Sequence, residues 1–266
     1  LRYFFHIGYV GTLYSGWQKL PGLTTVQQTV ETILQEVLKQ PMPVVGCGRT
    51  DSQVHASQFF FHVDADIDLN NDLFFKINKR LSADIALYDI LPVADGAHAR
   101  FDATQRHYDY HFHTYKNPFL EPVSSLYLVN HLRLEAMKRA AELLMQYTDF
   151  VGFCKSPAKN EHTICNVSNV ALSANAQGNQ YRFHIESNRF LGGMIRIIVA
   201  KLLEVGQGKL SVDEFEQALI NKVPATNVKQ AYPQGLSLTK VIYPYLDVPT
   251  RGMPQILNSQ EGWIGI

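Results

Sequence analysis

The chain has 266 residues, room for one large or two modest domains, and 46% of them are hydrophobic, an ordinary share for a globular fold. Lys plus Arg and Asp plus Glu both number 24, so the formal charge is zero. That balance excludes a polybasic protein, and a nucleic-acid partner would need a basic cleft on an otherwise acidic body. The three cysteines, Cys47, Cys154 and Cys165, are too widely spaced for a metal knuckle or a disulfide framework and suit a reducing cytoplasm. No apolar run approaches the length of a membrane span, and Leu1–Ile7, interrupted by His6 and followed by Gly8, is too short for a signal peptide.

In chain order, residues 2–10 predict a strand and 11–22, rich in Gly, Tyr and Trp, a loop. Thr25 with Gln28 forms a capping-box pattern, and Val26, Val30, Ile33, Leu34, Val37 and Leu38 recur at helical spacing before Pro41 and Pro43 end the helix. Strands are predicted at about 43–48 and 56–64, a helix at about 70–81 and a strand at 85–91. This half reads β-α-β-β-α-β, a split β-α-β plan suited to a largely antiparallel sheet with helices on one face.

A long strand over 104–115 alternates Tyr108, Tyr110 and Phe112 with His107, Asp109, His111 and His113. A helix at about 133–147 follows, then a hairpin of strands at 164–174 and 179–188. The next helix begins near Phe190 and stops near Gly206 and Gly208; Ser211 with Glu214 caps a short one to about 222. A last strand runs over 235–245, and the tail, with Pro249, Gly252, Pro254 and Gly262, reads as irregular. The chain therefore divides near residue 103 into two α+β halves, 1–103 and 104–266. The expected fold is two ferredoxin-like halves sharing a continuous, largely antiparallel sheet, with helices on one face and a central cleft.

Between the strands at 43–48 and 56–64 lies Gly48-Arg49-Thr50-Asp51-Ser52-Gln53-Val54-His55-Ala56. A carboxylate on a tight polar loop between buried strands is well held for chemistry, and the nearby guanidinium favours its ionised form. Local pattern alone fits a turn aspartate paired with a structural arginine better. The loop resembles the signature of the TruA family of tRNA pseudouridine synthases, and further motifs match that family in order. They are Tyr9 to Gln18, Thr25-Val26-Gln27, His98 to Thr104, Tyr108-Asp109-Tyr110, Asp149 to Phe153, Asn188-Arg189-Phe190-Leu191, Met194-Ile195-Arg196 and Gly235-Leu236. The resemblance as a whole covers roughly residues 3 to 245.

The resemblance implies isomerisation of uridine to pseudouridine in the tRNA anticodon arm, near positions 38 to 40, by a cytoplasmic homodimer without cofactor or metal. It places the nucleophile at Asp51. Attack at C1′, attack at C6 and elimination through a glycal remain open. Tyr108 is implied to stack on the target uracil, with its hydroxyl a candidate for taking the C5 proton. Leu236 is implied to pack on the base from the other side, and Arg196 to pair with Asp51. Arg49 has two readings: it inserts toward the nucleic acid, or it pairs with Asp51. His55 is expected to fix the loop. His107, His111 and His113 share a strand face where two-residue spacing can hold a metal, but the sequence shows no carboxylate partner besides Asp109, so a polar face contacting phosphate is the preferred reading.

Departures from the family pattern are Ser52-Gln53 in place of Ala-Gly, Cys165 where an arginine is common, Val10 where an acid is common, and Asp109 where a base is common. A glutamine does not readily take the positive φ that glycine allows, so the turn after Asp51 is expected to differ in shape. The substitutions elsewhere are expected to cost positive charge or RNA contacts.

Overall fold

A computed structural model describes residues 1–66, 71–223, 228–251 and 263–265. Gly252, Pro254 and Gly262, assigned above to an irregular tail, lie outside the described residues, as does residue 70 at the expected start of the second helix. The fold is α+β with mostly antiparallel strands. It divides into two compact units, Leu1–Thr104 with Ser237–Met253, and Gln105–Leu236 with Pro254–Ile266. The last predicted strand, counted above with the 104–266 half, thus belongs to the first unit from Ser237 onward.

In unit 1, β1 (Arg2–Tyr9) lies between antiparallel neighbours β3 (His55–Asp64) and β4 (Ile85–Val93). On the other edge of β3, β2 (Val45–Gly46) pairs antiparallel and β9 (Leu236–Ile242) pairs parallel at His55↔Ser237. Helices α1 (Val26–Leu38) and α2 (Asn71–Arg80) complete the split β-α-β plan. Helix α1 starts and stops where periodicity places it: Thr25 Oγ1 accepts the Gln28 N–H, and Lys39 at φ 60° turns the chain out before Pro41. Strand β2 is shorter than the predicted 43–48.

Strand β3 is buried along nearly its whole length because both faces are covered. On one, Phe5 stacks on Phe61 at 5.0 Å and Trp17 packs on Phe59 at 4.1 Å. On the other, Phe4 and Phe60 meet the Tyr243 ring at 5.2 and 5.5 Å, and the Tyr243 hydroxyl donates to Ala99 O. Unbroken apolar sequence such as Phe59-Phe60-Phe61 is what two covered faces require.

In unit 2, β10 (Trp263–Gly265), β7 (Val167–Asn175), β8 (Gln180–Ser187) and β5 (Gln105–His113) follow one another in antiparallel pairing. A two-residue strand, β6 (Ser125–Leu126), runs parallel to β5. Neither β6 nor β10 has a local sequence signature. Helices α3 (Leu134–Leu143), α4 (Met194–Gly206) and α5 (Val212–Ile220) build the core, with α4 buried at ten of its thirteen positions. The capping box that opens α5 is present: Ser211 Oγ accepts the Glu214 N–H, and the Glu214 carboxylate accepts the Ser211 N–H.

Helix α4 begins at Met194, four residues later than expected. Gly193, its N-cap, sits at φ 73°, so Gly192 and Gly193 lie before the helix and do not weaken it. A Cβ on Gly193 would stand 3.1 Å from Gln230 Nε2 and 3.3 Å from Lys155 Cβ, so a close-packed entry accounts for that glycine.

Candidate active site

Asp51 sits at the tip of the loop leaving β2, exposed together with Arg49, Ser52 and Gln53, while Thr50 and Val54 are buried beneath. The loop is anchored from below by the segment after β1. Trp17 N–H donates to Thr50 O at 3.1 Å, Gln53 N–H donates to Tyr14 O at 3.0 Å, and the Tyr9 and Thr50 hydroxyls share a bond of 2.9 Å. The turn is closed by Val54 N–H donating to Asp51 O at 3.2 Å. Gly16, at φ 90°, lies directly against this loop; a Cβ there would enter the space of Thr50 O and stand 3.0 Å from the Asp51 carbonyl carbon.

Gln53 takes φ 64°. Gln53 thus stands in the left-handed region that glycine would take easily, at a conformational cost. The turn's backbone bonds over-determine it. His55, 1% exposed, accepts the Gly11 N–H at Nδ1 over 2.8 Å, which is a loop-fixing role.

Unit 2 carries Tyr108, Arg196 and Leu236, and one network links the last two. Tyr108 on β5 is buried, its ring edge-on to Phe190 at 5.2 Å. Arg196, in the first turn of α4 and half-buried, donates from Nε to Ala231 O at 2.8 Å, and its own carbonyl accepts the Ala231 N–H at 2.9 Å. The next residue, Tyr232, offers its carbonyl to the Tyr110 hydroxyl at 2.9 Å, and Ser125 Oγ and the Tyr127 hydroxyl lie 2.9 and 3.0 Å from that same oxygen. Burial holds the Tyr110 phenol well above its ordinary pKa, so it stays neutral and can donate. The 3₁₀ turn Pro233–Gly235 then presses on β5: a Cβ on Gly235 would stand 2.7 Å from Ser125 Oγ and 3.0 Å from Tyr110 Cζ. Leu236 follows at once, 6% exposed. Sequence reasoning named the two ends of this chain of contacts but gave no role to Tyr110, Tyr127 and Tyr232, which join them.

The opposite face of β5 differs from expectation. Asp109, His111 and His113 are buried, so that face does not offer them to phosphate. His113 Nδ1 bonds Ser124 Oγ at 2.8 Å, His111 pairs across from Arg182, and Asp109 bonds His184 Nδ1 at 2.6 Å. The Asp109 carboxyl lies below its usual range: burial opposes ionisation, but His184, His111 and Arg182 more than offset it. Aspartate here is matched inside the fold and does not subtract from a surface, and Cys165 is likewise fully buried. Among the described residues, His107, His184 and Glu186 form the one group of three with ligand atoms mutually within 4.8 Å; His111 and His113 are not part of it.

Comparison with known proteins places the chain among close relatives. The model of a family described as tRNA pseudouridine synthase matches residues 140–244. A tRNA pseudouridine synthase A of Porphyromonas gingivalis is 39% identical over 246 residues, covering 91% of this chain and 97% of that protein. Proteins of the same name from Parabacteroides distasonis and Bacteroides fragilis are 38% and 37% identical, each covering 91% of this chain and 96% of the relative.

Proposed function

The chain belongs to the tRNA pseudouridine synthase A family, and from that premise we propose that it isomerises uridine to pseudouridine with Asp51 as nucleophile. The reaction breaks the bond from uracil N1 to ribose C1′, turns the base, joins C5 to C1′, removes the C5 proton and leaves a proton on N1. Atoms and electrons balance within the nucleotide. The protein's task is to supply an anionic oxygen, hold the loosened base and exclude water.

One observation carries the assignment: the Asp51 carboxylate is exposed on a loop whose backbone is clamped on both sides by Tyr14, Trp17 and the Gln53 turn. A reactive group must reach substrate while its carbon skeleton stays still, and preorganisation of that kind is worth orders of magnitude in rate. Arg49, two residues before Asp51, supplies positive charge at the same loop and is the candidate to enter the nucleic acid when the base swings out. Tyr108 stacks on the uracil, Leu236 packs against it, and Arg196 pairs with the catalytic carboxylate. Arg196 is suited to this because its Nε is already committed to Ala231, which fixes the direction of its two terminal nitrogens.

The target we infer is the anticodon arm near positions 38 to 40, and the working form a cytoplasmic homodimer. A non-catalytic RNA-binding protein on this scaffold would draw its support from the altered Ser52-Gln53 turn and the missing basic residues, and Gln53 in the left-handed region weakens the first of these.

The test is Asp51→Ala and Asp51→Asn in the full chain. Both are expected to form no pseudouridine while binding tRNA within about threefold of the parent, since one exposed carboxylate contributes little to a phosphate-dominated affinity. Conversion by either variant would end the assignment. Pseudouridine mapping in a deletion strain decides the target: loss at positions 38 to 40 supports it, and loss only at other sites refutes it.

A further inference from the structure

Within unit 2, positive charge approaches Tyr108 from two segments. Strand β5 carries Arg106 on the same face, two residues earlier and about 7 Å along the strand. Arg106 Nη1 donates to Asn188 O at 3.2 Å, in the turn that leaves β8. That turn is itself fixed: Asn166 N–H donates to Asn188 Oδ1 at 2.7 Å, and Asn188 N–H donates to Asn166 O at 3.3 Å. Arg189 and Phe190 follow at once, and the Phe190 ring is the one that meets Tyr108. Lys155, exposed, donates its N–H to Gly192 O at 3.0 Å and brings a third positive residue to this segment.

Arg189 is half-buried, and its contact is with an imidazole. Its Nη1 stands 3.0 Å from His162 Nε2 and 3.2 Å from His162 Nδ1. A nitrogen almost equally near both ring nitrogens cannot lie in the ring plane, where it would collide with the carbon between them. The guanidinium therefore rests on the imidazole face and spends one N–H there at most. Among the described residues no carboxylate or carbonyl accepts from Arg189. A guanidinium holds its donors in a planar fork, so most of that fork is left to solvent. Its position is fixed by a neighbour that neither neutralises its charge nor takes up its donors, which prepares it for an anion.

We propose that Arg189, seated on His162 and backed by Arg106 and Lys155, holds a backbone phosphate of the nucleotide whose base rests on Tyr108. The proposal takes the role of Tyr108 from the function above and adds an anchor to it. A base that leaves its stack swings about its own sugar–phosphate backbone, so its phosphates stay within a nucleotide's length of the ring it lands on. Arg189 adjoins Phe190, which touches Tyr108, and Arg106 lies on the Tyr108 face of β5. A phosphodiester presents two anionic oxygens, which match a planar fork of donors. Phosphate contacts set register without reading sequence. Arg189 thus decides which nucleotide of a bound arm stands over Tyr108.

The test measures binding of a full-length tRNA transcript in the Asp51→Ala background, across a range of KCl concentrations. Arg189→Ala is expected to weaken binding about 10-fold and to lower the slope of log Kd against log salt by about 0.7–0.9, the share of one phosphate contact. Arg189→Lys restores the slope but not the full affinity, because an ammonium carries the charge without the fork. A second arm places a neutral methylphosphonate on either side of the uridine that the parent converts. One of the two is expected to weaken binding about 10-fold, and to cost Arg189→Ala less than about twofold. Unchanged affinity and slope in Arg189→Ala overturn the proposal. Losses that add at both methylphosphonates put the contact on another phosphate and overturn it as well. Melting establishes that Arg189→Ala is folded, and Arg189→Gln replaces it where it is not. A parent chain that converts no uridine refutes the catalytic reading instead, and the salt series still decides the role of Arg189.

Discussion

Gly16→Ala probes whether the Asp51 loop is positioned from beneath. Two costs fall on it. The first is conformational: an alanine at φ 90° lies on the left-handed side, at about 1–2 kcal/mol, partly offset by the lower entropy of the unfolded chain. The second is steric and local. The new methyl enters the space of Thr50 O and comes within 3.0 Å of the Asp51 carbonyl carbon and 3.2 Å of Ser52 N, all backbone atoms that cannot swing aside. The loop must lift by about 1 Å, which also strains the Trp17 to Thr50 hydrogen bond, and a misplacement of that size costs on the order of 100-fold in rate. Gly22→Ala is the matched control: its φ is 74°, but nothing lies within 4 Å of the added methyl. Both variants are expected to lose a few degrees in Tm. Only Gly16→Ala is expected to lose about 100-fold in single-turnover pseudouridine formation, with tRNA affinity little changed. Equal activity in the two variants, or a Gly16→Ala rate within about threefold of the parent, would refute positioning from below.

Other consequences can be measured directly. Tyr110→Phe removes the hydroxyl that joins Tyr232 O, Ser125 and Tyr127 in a buried setting; a loss of about 1–3 kcal/mol in urea unfolding is expected, and a change below about 0.5 kcal/mol would show the network to be dispensable. Burial, aided by Arg2 and His98, lowers the His62 pKa to about 4, and its Nδ1 accepts the Ala99 N–H at 3.1 Å. The unfolded chain therefore takes up this proton first as pH falls below about 6.5, and stability drops between there and about pH 4, by up to roughly 3 kcal/mol. His62→Gln should flatten that part of the pH–stability curve, and an unchanged slope would count against the assignment. Burial pushes the Cys165 thiol up to about 12, and Cys47 and Cys154 are also fully buried. Maleimide should label all three only in denaturant; rapid native labelling would contradict the packing described.

Local patterns in the chain were enough to place most elements, while the candidate nucleophile came from the ordered family motifs and not from its own loop. Helix α1 was legible to the residue because its cap and its apolar spacing are both local. Strand β3 was legible because a run of aromatic residues has few other places to go. The start of α4 was not, since Gly193 spends its positive φ before the helix, where periodicity says nothing. Strands β6 and β10 have no sequence signal because two or three residues pair by virtue of where their partners already stand.

At the candidate site the division is sharper. The family resemblance implied Asp51, Arg49, Tyr108, Arg196 and Leu236, because the motifs that carry it are written in neighbouring letters. That Gln53 would hold a glycine's φ, that Gly16 would lie under the loop, and that His184 and Glu186 would come up beside His107 could not be read in advance. Each depends on register and close packing between segments far apart in the chain. Secondary structure is set by φ, ψ and side-chain period over a few residues, whereas which side chains meet is set by how distant strands and loops pair once the core closes.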